Sequence, residues 1–299
     1  KMWQAHSSDV CALHFDQTGK KLISGGTDKL VKIWDAASAQ EIGTLRGCTS
    51  SILCAKYAPN HAFICAAGND CQLHLWNIKT QRQIRVYNGH SNKITSIDFT
   101  HDSRLIFSGS HDRSIKLWDL ETAACRFTMS AHSSVNDLCI SPDEYYIATA
   151  HLDGCVRFWS KRDRKELFKL TDHQPQQTNG VQFSPPDGIQ ILTSSKNGKI
   201  IVWDLRKQQK LHEIFDKDFK NTNLTGKPCF SPDGQYILGG ASVQSTKLDG
   251  KYSLFIWKTK TAKLEYTLTE HTSQITKVVW HGRGGVASAD RNGMIAMWC

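Results

Sequence analysis

Residues 109–120 read GSHDRSIKLWDL, and Ser108 stands immediately before them. The stretch gathers Ser, His and Asp, the residue types of nucleophilic hydrolases, into a few positions. It also contains the alternating run SIKLW, the mark of a β-strand with one buried face. Recurrence separates an active site from a building unit, because a reaction needs one constellation and a scaffold needs many.

The pattern recurs. Trp34, Trp76, Trp118, Trp159, Trp203, Trp257 and Trp298 are separated by 42, 42, 41, 44, 54 and 41 residues, and each closes an alternating run such as LVKIW, QLHLW or CVRFW. A mostly aromatic position precedes six of them by 18–20 residues: Phe15, Tyr57, Phe99, Ile140, Phe183 and Trp280. Turn chemistry follows that position, as in DQTGK and SPDE. Asp or Asn stands six residues before Trp at Asp28, Asp70, Asp112, Asp153, Asn197 and Asn292. A His lies some 19 to 24 residues before that position at His6, His90, His132, His173 and His271. Four residues before the Asp or Asn is a hydroxyl: Ser24, Ser108, Thr149, Thr193 or Ser288.

Each unit therefore reads as four strands, here called a to d, with a tight turn before the Trp strand c. Four strands in about 40–45 residues with GH- and WD-type marks are the signature of the WD repeat. GH stands at 89–90 and WD at 34–35, 118–119 and 203–204. The sequence resembles a WD-repeat β-propeller along its whole length. Seven marks imply an all-β, seven-bladed propeller with four-stranded antiparallel blades, forming one domain over residues 1–299. Only Cys299 follows the last Trp, while KMWQA precedes the first His, and Trp3 aligns with Leu45 of blade one. Residues 1–5 are expected to supply the outer strand of blade seven and so protect an open edge.

Copies of Ser, His and Asp around a ring point to structure. The resemblance implies that His, Ser or Thr, Asp and Trp link within a blade: His6, Ser24, Asp28 and Trp34; His90, Ser108, Asp112 and Trp118; His132, Thr149, Asp153 and Trp159. Such a chain satisfies buried polar groups and fixes register. Blade two departs, with Cys48 at the His position and Ala66 at the hydroxyl position. Blade six has no evident His.

Composition agrees with a binding module. The ten cysteines form no CxxC pair, so no zinc spacing is evident; they read as free thiols in a reducing compartment, cytosol or nucleus. P-loop, GxSxG and metal-ligand spacings are absent from the sequence, so an enzyme, a metal and a cofactor are not expected. The net charge of +9 permits acidic partners. No RNP, KH or helix-turn-helix pattern appears, and nucleic acid is not an expected partner. No apolar run approaches the ~18 residues of a membrane span. The lack of an initiator Met suggests the C-terminal part of a longer protein.

Strand alternation puts the b–c and d–a loops on one face. Blade six carries extra residues in both, at 215–227 and 242–253, and insertions on one face of a repeat array often mark a binding surface. Lys247 and Asp249 fall in the second insertion. His111 and Arg113, on the b–c turn of blade three, are expected close to Lys93 on the same rim.

The chain is similar to the carboxy-terminal propeller of the autophagy-related protein 16 family. The similar stretches include AHSSDVCALHF, AAGNDCQLHLW, GHSNKI, SSVNDLC, HLDGCVRFW, FSPDGQYILGG and VVWHGRGGVASADRNGMIAMWC. That resemblance implies a non-catalytic scaffold that recruits ubiquitin-like lipid-conjugation machinery to membranes in autophagy. Its implied partners are short peptide motifs in cytoplasmic tails and the vacuolar proton pump, and its implied location is cytoplasmic, on autophagic or endolysosomal membranes when recruited. It also implies a recruiting role for the basic residue after GH, here Lys93. The alternatives are a scaffold of another complex or a substrate receptor of a cullin-RING ubiquitin ligase. The latter rests on WDLR at 203–206, with Asp204 and Arg206 as the adaptor contact.

Overall fold

Every alternating run forms a strand in the computed structural model, which describes residues 1–216, 219, 226–243, 251–281 and 284–298. Strand Ser114–Asp119 shows the local logic. Ile115 and Leu117 are buried in the sheet, and Lys116 between them is half-buried and turned the other way. The tight turn ahead of it is made by Arg113 in the left-handed region, φ 65°. Glycine, which has no Cβ to clash, tolerates that conformation best, and Gly154, Gly198 and Gly293 hold it in other blades.

The strands form seven four-stranded antiparallel sheets. Blade one comprises Val10–Phe15, Lys21–Gly26, Val31–Asp35 and Glu41–Leu45. Blade three comprises Ile94–Phe99, Leu105–Ser110, Ser114–Asp119 and Cys125–Ser130. Blade seven takes Ile275–Trp280, Val286–Asp290 and Met294–Trp298 from the end of the chain, and Met2–Gln4 from its beginning. Trp3 pairs with Ile295 as Leu45 pairs with Val31, so the expected equivalence of Trp3 and Leu45 is met in register.

Packing joins neighbours into a ring. One apolar cluster sets Leu73, Leu75 and Tyr87 of blade two against Ile94, Ile97 and Phe99 of blade three. Another sets Ala287, Ala289 and Ile295 of blade seven against Val10, Leu13 and Leu22 of blade one, which closes the circle.

The a strands line a central cavity of about 450 Å³. Six of them carry a bulge near their start, for example between Ile94 and Ser96 and between Val135 and Asp137. A bulge redirects a side chain that the ladder would otherwise align. Here the redirected residues reach the next blade: Thr95 Oγ1 donates to Val135 O at 2.6 Å, and Asn136 Nδ2 to Thr178 O at 2.8 Å. The repeat is thus stitched polar-to-backbone around the cavity as well as packed.

Candidate functional site

In blade three the suspected triad is a closed structural chain. Trp118 Nε1 donates to Ser108 Oγ at 2.8 Å, and Ser108 Oγ lies 2.7 Å from His90 Nε2. His90 Nδ1 meets Asp112 Oδ2 at 2.7 Å. An indole can only donate, so the hydroxyl accepts from it and donates to His90 Nε2, and Nδ1–H donates to the carboxylate. Burial by itself would raise the Asp112 carboxyl, but hydrogen bonds from His90 and Ser114 outweigh it and hold the group well below the usual carboxylate range. Ser108 is fully buried, so its oxygen has no path to a substrate. Blade one repeats the chain with His6, Ser24, Asp28 and Trp34 at 2.7–2.9 Å.

Blade seven completes the same chain with a different acid. His271 bridges Ser288 and Asp290 at 2.7 and 2.8 Å, whereas the period points to Asn292. Asp290 is the last residue of strand b and fully buried, and its side chain reaches the ring directly.

Blade four corrects the expectation for His132. The ring of His132 is exposed, stacks on Trp159 at 6.1 Å, and lies 3.7 Å from Glu166. His151 takes its place, with Nε2 at 2.7 Å from Thr149 Oγ1, which also receives Trp159 Nε1 at 2.8 Å. Asp153 pairs with Arg157 instead of a His. The cause is chain length. His6, His90 and His271 each stand four residues before strand a, whereas His132 stands three before Val135 and turns outward at φ 62°.

The remaining blades each solve the problem anew. In blade five His173 meets Thr193 at 2.8 Å, while Asn197 accepts from Ser195. In blade two Trp76 donates to Arg46 O, and His74 from strand c supplies the imidazole for Asp70 at 3.0 Å. In blade six the described residues set apolar groups beside the Trp. Phe219 packs edge-on against Trp257 at 4.9 Å, and a Cβ on Gly239, opposite Phe255, would meet the Trp257 ring at 2.9 Å.

The surface residues fall into three places. Lys93 and His111 are adjacent: His111 N donates to Lys93 O at 3.0 Å, and Ser110 Oγ to the same carbonyl at 2.9 Å. Burial, and then the nearby Lys93 charge, lower the His111 pKa, against a hydrogen bond to Asn136. Arg113 is exposed on the same turn. Lys247 and Asp249 lie outside the described residues. Asp204 and Arg206 lie on the c–d turn of blade five, where Asp204 Oδ1 accepts the backbone N–H of Arg206 at 2.9 Å and of Lys207 at 3.1 Å. Asp35 and Asp119 cap their c–d turns likewise, so the D of WD is a turn cap.

The cavity wall was not singled out by its sequence. Lys56 pairs with Asp98 and Lys227 with Asp137, each at 2.6 Å, and Lys277 also lines the cavity. Burial, followed by the charge of Lys227, lowers the Lys277 ammonium to about 8. His14 is lowered to about 3 by burial and then by Lys56 and Lys277. The signal, visible only once strand a is aligned, is a Lys or Asp one or three residues before the aromatic mark.

A family model described as the WDR36/Utp21 second β-propeller domain matches residues 2–177, and the WD domain, G-beta repeat, matches 164–204 and 262–299. The chain belongs to the WD-repeat β-propeller family. Relatives of this WD-repeat propeller include protein tipD of Dictyostelium discoideum, 32% identical over 100% of the chain and 48% of the relative. Autophagy-related protein 16 of Arabidopsis thaliana is 30% identical over 98% of the chain and 56% of its own length. Protein Atg16l2 of Mus musculus is 36% identical over 98% and 46%. The chain spans about half the length of these relatives. Such propellers are protein-interaction scaffolds, and neither family model describes an enzyme. Among the described residues no helix is long and apolar enough to cross a membrane.

Proposed function

We propose that this propeller is the recruiting module of an autophagy-related protein 16-like protein. In this reading it brings ubiquitin-like lipid-conjugation machinery to membranes by binding peptide motifs and partner proteins. The face bearing the b–c and d–a loops is its binding surface, with Lys93, His111 and Arg113 at the centre of the contact. Similarity over 98% of this chain to part of autophagy-related protein 16 supports the biological setting. The observation that carries the placement is the contact of Lys93 O with His111 N, which holds a cation and an imidazole side by side on one rim. Arg113 adds a second fixed cation, suited to acidic or carbonyl-rich peptide segments. The structural chain behind them keeps the turn rigid, so the surface is preorganised.

The test is a pull-down of solubilised vacuolar proton pump with the wild-type chain and with Lys93→Glu and Arg113→Glu variants. Binding is expected to fall at least tenfold with thermal unfolding unchanged. Wild-type binding by both variants would remove this site from the proposal.

A further inference from the structure

Blade two lacks the framework His and hydroxyl, yet it gathers three metal-ligand types where they stood. Cys48 Sγ, an Asp70 carboxylate oxygen and a His74 ring nitrogen all lie within 4.8 Å of one another. Cys48 stands four residues before strand a of its blade, at the position His6 and His90 occupy in theirs. Asp70 belongs to the b–c turn and His74 to strand c (Leu73–Asn77). Both side chains are almost fully buried, at 5% and 2% exposure, so their aim is fixed by packing. His74 stacks on Trp76 at 5.8 Å with 25° between the planes. Gln83, on the neighbouring strand d, holds its far nitrogen Nδ1 at 2.8 Å.

We propose that Cys48, Asp70 and His74 form a binding site for one zinc-class divalent cation. Donor chemistry favours zinc over the hard cations. A thiolate and an imidazole select borderline and soft metals, whereas calcium and magnesium prefer oxygen alone. Charge favours it as well: one thiolate and one carboxylate neutralise a divalent ion in a buried setting, and the imidazole adds no charge. Bonds of about 2.0–2.3 Å place tetrahedral donors roughly 3.2–3.8 Å apart. His74 and Asp70 are already 3.0 Å apart, so closure requires movement mainly of the Cys48 side chain. Cys48 is half-buried, which leaves the fourth position open to water.

The protons balance. Metal binding releases the Cys48 thiol proton to buffer and the hydrogen on His74 Nε2 relocates to Nδ1. The Gln83 amide, turned so that its oxygen faces the ring, accepts there; such an outer acceptor commonly orients metal-bound His. Burial and then the Asp70 charge push the free Cys48 thiol up to about 12, and a bound dication opposes both effects. Cys71, in the same turn, directs its sulfur to Asn69 O and is not among the donors.

The test titrates Co²⁺ into the metal-free wild-type chain, then displaces it with Zn²⁺. One equivalent should give tetrahedral ligand-field bands with a thiolate-to-cobalt charge-transfer band. Cys48→Ser should remove the charge-transfer band and weaken Zn²⁺ binding at least tenfold. Cys48→Ala, which leaves the His74–Asp70 contact intact, should abolish the Zn²⁺-dependent rise in melting temperature. Absence of the bands in the wild type, or their persistence in Cys48→Ala, would overturn the assignment.

Discussion

Arg157 reaches back four residues along its own hairpin to Asp153, with Nη2 2.6 Å from Oδ2 and Nη1 3.2 Å from Oδ1. The guanidinium is nearly buried, whereas a third of the carboxylate side chain is exposed. His74 makes the same four-residue return to Asp70 in blade two. In both blades the framework His is missing from its place, and a cation-capable residue two before Trp takes over the turn acid. In blades one and three, where His does hold the acid, the corresponding Lys32 and Lys116 reach Glu41 and Thr128 at the surface instead.

Arg157→Ala should therefore destabilise the chain more than Lys116→Ala does. Loss of a buried charge-assisted hydrogen bond costs about 1.5–3 kcal/mol, and an exposed lysine contact well under 1 kcal/mol. Urea unfolding of the two variants measures the difference. Equal midpoints would mean that Asp153 is adequately hydrated without Arg157.

Ser108→Ala should leave both Trp118 Nε1 and His90 Nε2 without their shared partner, at a cost of about 2–4 kcal/mol from two unsatisfied buried groups. Ser108→Thr should retain most of the stability, because Thr149 and Thr193 fill the same role in blades four and five. Melting temperatures for the pair check the ordering.

Acid sensitivity should begin above the carboxylate range. Burial, with the neighbouring Arg157 charge, lowers His151 to about 4; burial, with Lys199, lowers His173 to about 3. Both are neutral in the folded protein and gain protons more readily when unfolded. Their contribution is complete above about pH 6.5, the ordinary His value, and is lost progressively as pH falls toward 4 and 3. His173→Gln should flatten the dependence of melting temperature on pH between 6.5 and 4.5. A slope equal to that of the wild type would remove His173 from the account.

Lys277 gives the opposite end of the scale. With its folded pKa lowered to about 8, the ammonium is disfavoured by folding at neutral pH, and that penalty is relieved as pH rises from about 8 to the ordinary lysine value. Lys277→Met should raise the melting temperature at pH 7 by several degrees and reduce the gain seen between pH 8 and 10. A lower melting temperature for the variant would show that water in the cavity solvates the charge fully.

Much of the ring could be read from the sequence because Trp and its alternating run report a local backbone period. The pairing of Trp3 with Ile295 followed from the same period. Partner choice inside each blade was less legible, since it depends on a single residue of loop length. His132, one residue nearer its strand than His90, loses the interior to His151. Asp290 likewise displaced Asn292, because burial on strand b outweighs a turn position that the period favours. The cavity charges were obscured further: Lys56, Lys227 and Lys277 are far apart in sequence and meet only because their strands share one axis.

The pairing of Met2–Gln4 with Met294–Trp298 also imposes an order in time. Residues 294–298 leave the ribosome about 290 residues after Met2–Gln4, so the ring closes only after all seven blades have been made. Until then Trp3 and the inner wall of blade one remain exposed to other chains, and contacts spanning nearly the whole sequence form slowly. The interval between the synthesis of blade one and that of blade seven is thus when this propeller most needs protection.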